Sequence, residues 1–66
     1  MKGETIKEVE ALIHELNETR ETLGHMIEVC EYKITGIILF KAYEVICDKI
    51  EQNKNTLNCL KSENNV

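Results

Sequence analysis

From Ile6 onward, apolar residues recur at alternating steps of three and four: Ile6, Val9, Ile13, Leu16, Arg20, Leu23, Ile27, Cys30 and Ile34, with Arg20 the one polar member. About four heptads of this a/d pattern describe the seam of a packed amphipathic helix. The same frame, carried past Ile34 through Ile37, reaches Lys41, Glu44, Asp48 and Glu51. Four charges in succession cannot line a seam, so the frame has to reset. A second series then runs Leu39, Tyr43, Ile46, Ile50, Asn53, Leu57 and Leu60, again with one polar member, Asn53. Two seams with a break between them predict two helices that fold back on each other.

Gly36 lies in the interval where the frame resets, and glycine is the residue favoured just past a helix end. Thr5 with Glu8 three residues on has the form of a capping box. These signals predict a single domain over 1–66, with helix 1 over about 5–34, a turn at 35–37, helix 2 over about 38–61 and a frayed tail at 62–66. Folding back at Gly36 sets Ile34 against Leu39, Cys30 against Tyr43, Ile27 against Ile46 and Leu23 against Ile50. Arg20 then meets Asn53, Leu16 meets Leu57, and Ile13 meets Leu60. Every pair joins an a to a d position, as antiparallel packing requires, and Arg20 and Asn53 share one polar layer. Such a layer acts as a register lock, with the alternative that Arg20 reaches a carboxylate or phosphate on a partner. On the flank, Glu10 falls opposite Lys61. A β-strand over Ile34–Phe40 has no second strand to join. One continuous helix would leave the frame reset unexplained. The expected class is all-α: an antiparallel two-helix hairpin, dimerising into a four-helix bundle.

A chain of 66 residues buries only about 60% of the surface its unfolded form exposes, so a lone core is marginal without a staple or a partner. The longest apolar run, Ile37–Phe40, is far short of the roughly 20 residues that cross a bilayer. No export signal is visible at the start, and the expected location is the cytoplasm. Cys30, Cys47 and Cys59 are odd in number and lack C-x-x-C spacing. In a reducing compartment they are free thiols that behave as small apolar side chains. The net charge of -4 lacks the concentrated basic footprint of a nucleic-acid binder. Residues 1–35 carry eight acids against four bases, whereas 36–66 carry four of each. The first helix is an acidic rod that would attract a basic partner surface.

Chemistry-bearing constellations are scarce. His14 and His25 lie eleven residues apart, about 16 Å along a helix, and cannot share a metal within one chain. No nucleophile–histidine arrangement, glycine-rich phosphate loop or carboxylate pair is visible, so no catalytic residue, metal or cofactor is expected. The distinctive feature is a surplus of apolar residues outside the seams. Met26, Val29, Ile38, Ala42 and Val45 project from one flank at the turn end, with Leu12 further along and Lys33 and Lys49 as a rim. Stripes of this kind mark contact surfaces. The other flank carries a smaller group, Gly24, Phe40 and Cys47.

The hairpin plan resembles the plasmid copy-control RNA-binding hairpins that dimerise into four-helix bundles, although the acidic first helix is unsuited to gripping RNA. The stretch Glu44-Val45-Ile46-Cys47-Asp48-Lys49-Ile50 is similar to the second helix of the sporulation-regulatory aspartyl-phosphate phosphatases of spore-forming bacteria. It matches their Ser-Gln-Glu-Leu-Asp motif at Asp48 but has Glu44 and Val45 where Ser and Gln stand. That resemblance implies a response-regulator aspartyl phosphate as substrate, with Asp48 as the residue to test. The reading favoured by the residues themselves is a regulatory or inhibitory interaction module rather than an enzyme. It docks its apolar flank on a protein partner or on itself, with no nucleic acid, membrane or small-molecule substrate.

Overall fold

The computed structural model describes residues 2–64, with side chains described from Thr5 to Glu63. It contains two helices, α1 (Lys2–Val29) and α2 (Lys33–Asn64), packed antiparallel against each other. The Cα envelope measures 51 × 14 × 13 Å, close to the roughly 48 Å that 32 helical residues span. The molecule is a rod two helices wide.

Both seams are where the heptads place them. Ile6, Val9, Ile13, Leu16, Arg20, Leu23, Ile27 and Cys30 are all half-buried, as are Leu39, Tyr43, Ile46, Asn53, Leu57 and Leu60. Ile50 is the most enclosed, at 3% exposure, and is the one buried hydrophobic side chain among the described residues. A single pair of helices can cover one stripe on each, and the outer half of every seam residue stays near water.

The position of the reversal differs from the glycine-based expectation. The chain turns over Cys30-Glu31-Tyr32, not 35–37, and Gly36 lies inside the first turn of α2. The last turn of α1 tightens, with the Cys30 amide donating to the Ile27 carbonyl at 3.3 Å, a 3₁₀-type closure. The Gly36 amide donates to the Tyr32 carbonyl at 2.9 Å, which opens α2. The Cys30 thiol donates to the same Tyr32 carbonyl at 3.3 Å. No glycine among the described residues has positive φ, so the left-handed cap that would end a helix at Gly36 does not form.

Burial explains the choice. A reversal at Gly36 would carry Ile6 past the end of α2 and set Val9 level with Asn64, its last residue, leaving both without apolar partners. A reversal at Glu31 brings Ile6–Cys30 alongside Gly36–Leu60 and gives up only Ile34, which is 75% exposed. Each large apolar side chain fully covered contributes roughly 1.5–3 kcal/mol, so retaining two at the cost of one favours the earlier turn.

The helix ends shift accordingly. α1 starts at Lys2 rather than Thr5, so Thr5 and Glu8 lie within the helix and do not cap its start. Gly3 is tolerated because a single helical glycine costs only about 1 kcal/mol. α2 runs on to Asn64, through most of the expected tail. Residues 65–66 of that tail lie outside the described residues.

Candidate functional site: the turn-end flank

The register follows from contacts between the helices. A Cβ built on Gly24 would lie 3.7 Å from Cε2 of Tyr43, and one on Gly36 would lie 3.9 Å from Sγ of Cys30. At equal rise along the two helices, these contacts set Leu23 level with Tyr43, Leu16 with Ile50 and Val9 with Leu57. The expected pairing is therefore displaced by one heptad. Lys61 and Glu10 still meet, at 3.7 Å, because both side chains are long and reach toward each other. Both are half exposed, so the pair contributes only a few tenths of a kcal/mol.

The displacement separates Arg20 from Asn53. Both occupy half-buried seam positions, but they sit about one heptad apart along the rod and form no common layer. The Arg20 guanidinium donates to Oδ1 of Asn17 at 2.8 Å. The Asn53 amide donates to the Lys49 carbonyl at 2.7 Å. Each polar side chain bonds to its own helix, one turn away, rather than across the seam.

The five flank residues expected to carry recognition all lie outside the seam. Met26, Val29, Ile38 and Val45 are 43%, 61%, 63% and 54% exposed, and Ala42 is exposed beside them. Leu12 extends the stripe along α1. The earlier reversal adds Ile34, expected in the seam, Ile37, expected in the turn, and Tyr32 to the exposed apolar surface. Tyr32, Ile34 and Ile37 are exposed at the closed end, and Phe40 is exposed on the other flank. Phe40 and Tyr43 stack with ring centroids 6.4 Å apart and planes 16° apart. The signal for this wider apolar end was present in the unbroken run Ile37–Phe40. Four consecutive apolar residues cannot all face a single seam.

Beyond the flank the chemistry is sparse. His14 and Glu18 pair at 2.8 Å on an exposed helix face. Asp48 is exposed on α2. Cys30, Cys47 and Cys59 are free thiols. Among the described residues no His, Cys, Asp or Glu side chains gather in a group that could hold a metal. Nor is any helix long and apolar enough to cross a membrane. What the arrangement offers is a stripe of aliphatic side chains on a rigid two-helix support. Its helical spacing suits the i, i+3, i+4 anchoring of one helix against another. No protein-family model, curated protein or solved structure matches the chain.

Proposed function

We propose that the chain is a small regulatory or inhibitory interaction module that acts by docking its turn-end flank on a protein surface. The observation that carries this reading is the contrast in burial. Among the described residues one side chain is enclosed by the hairpin, while Met26, Val29, Ile38 and Val45 line up uncovered on one side. Apolar patches of several such side chains on small proteins mark sites of contact. The fold holds them on two helices braced by a common seam, so little ordering cost accompanies binding. Regulation by occlusion suits such a surface, because a rod that covers a partner's groove needs no chemistry of its own.

The test is the double variant Val29→Glu with Val45→Glu. Neither residue belongs to a seam, so circular dichroism should retain the helical signal of the parent. Capture of protein partners from the native host, or self-association, should be lost. A variant that remains helical and still associates would refute the choice of this flank.

A further inference from the structure

The occupant of the flank and its orientation follow from two further features, given the docking reading above. The first is area. The chain exposes 5259 Å², whereas a compact monomer of 7.6 kDa exposes about 4,300 Å². The excess, about 1,000 Å², is close to the roughly 800 Å² that each partner contributes to a standard interface. The second is charge. α1 carries seven acids and three bases, a net of -4, while α2 carries four acids and five bases, a net of +1.

Two hairpins can meet flank to flank about a twofold axis in only two ways. If the axis runs across the rods, α1 lies on the α1 of its partner and acid faces acid. The apolar turn end of each would also lie on the polar far end of the other. If the axis runs along the rods, the turn ends coincide and α1 of each copy lies on α2 of the other. The geometry points to the second arrangement: a four-helix homodimer with coincident turn ends, α1 stacked on the partner's α2.

The register then decides what meets. Val29 comes level with Ile38 of the other copy, Met26 with Ala42, Thr22 with Val45 and Leu12 with Thr56. Glu15 comes level with Lys49. The threonines fit an apolar interface because their hydroxyls are already engaged: Thr19 with the Glu15 carbonyl at 2.9 Å, Thr22 with that of Glu18 at 3.1 Å, and Thr56 with that of Gln52 at 3.0 Å. Burying them presents methyl groups and leaves no donor unpaired. The acidic α1 meets the near-neutral α2 rather than a second acidic α1, and each helix has antiparallel neighbours throughout.

Spin labelling at Cys59, with Cys30→Ala and Cys47→Ala, reads the orientation through the distance between copies. Coincident turn ends put the two Cys59 Cα atoms about 14 Å apart, the diagonal of a bundle whose neighbouring axes lie 8–10 Å apart. A distribution centred near about 20 Å, allowing for the labels, is the expected result. The crossed arrangement separates them by more than about 30 Å along the rod, and a distribution centred there overturns the proposal. Sedimentation equilibrium on the unlabelled parent should give a dimer. Val29→Glu with Val45→Glu should raise its dissociation constant at least a hundredfold. A monomeric parent overturns the homodimer but leaves the docking reading standing for another protein. A dimer that the glutamates do not weaken overturns both.

Discussion

The ring of Tyr43 on α2 lies against the open face of Gly24 on α1, 3.7 Å from where a Cβ would sit. This contact fixes how far one helix has slid along the other, because neither residue can reach its counterpart in the register a reversal at Gly36 would impose. From that slide follow the uncovered Ile34 and the separation of Arg20 from Asn53.

Gly24→Ala and Gly36→Ala should each stabilise the protein by about 0.5–1 kcal/mol. Both glycines lie inside helices, where alanine is the better residue. The space at each, 3.7 and 3.9 Å to the nearest neighbouring side-chain atom, accepts a methyl in ordinary contact. Melting at a fixed protein concentration should show a rise of about 4–8 °C per kcal/mol. A fall for Gly36→Ala would mean that Gly36 adopts a left-handed turn conformation.

Truncating isoleucines should separate the two candidate reversals. Ile50→Ala should cost about 2–5 kcal/mol, as for other enclosed aliphatic residues, and should lower stability more than any other single seam truncation. Ile34→Ala should change stability by no more than about 0.5 kcal/mol, since the side chain is 75% exposed. Ile6→Ala should cost more than Ile34→Ala in chemical denaturation. The reverse order would place the turn at Gly36.

Arg20 and Asn53 should act independently. Each bonds to a residue one turn away on its own helix, so leucine at both positions should change stability by the sum of the single effects. A double-mutant cycle should return a coupling below about 0.5 kcal/mol. A coupling above about 1 kcal/mol would restore them to one layer.

The comparison of sequence with structure turns on what heptads can specify. Every seam residue from Ile6 to Cys30 and from Leu39 to Leu60 was legible, because a stripe repeating every three or four residues has only one face to bury. The place of the reversal was not. A break anywhere between Cys30 and Leu39 satisfies both frames. Gly36 was the conspicuous breaker, yet local propensity worth about 1 kcal/mol gave way to burying Ile6 and Val9. The Glu10–Lys61 pair tolerated the one-heptad error because long side chains span it, whereas Arg20 and Asn53 did not. The five flank residues were legible as an unburied stripe. The exposed Tyr32 and Ile34 were not, since their exposure depends on where the chain turns.

A disulfide between Cys30 and a cysteine at position 36 tests the hairpin most directly. In a chain carrying Gly36→Cys, with Cys47→Ala and Cys59→Ala, the closure at Cys30-Glu31-Tyr32 brings the two thiols together. The present Sγ of Cys30 already lies 3.9 Å from the new Cβ position. Mild oxidation of the dilute protein should give an intramolecular disulfide, seen by mass spectrometry as the loss of two hydrogens from a monomeric species, with the helical signal retained. A turn at 35–37 would hold residue 30 inside α1, six residues and about 9 Å of helix from position 36, beyond the roughly 7 Å between Cα atoms that a disulfide tolerates. Oxidation that yields only the free-thiol monomer or intermolecular species would contradict the reversal and, with it, the register that leaves Tyr32 and Ile34 uncovered.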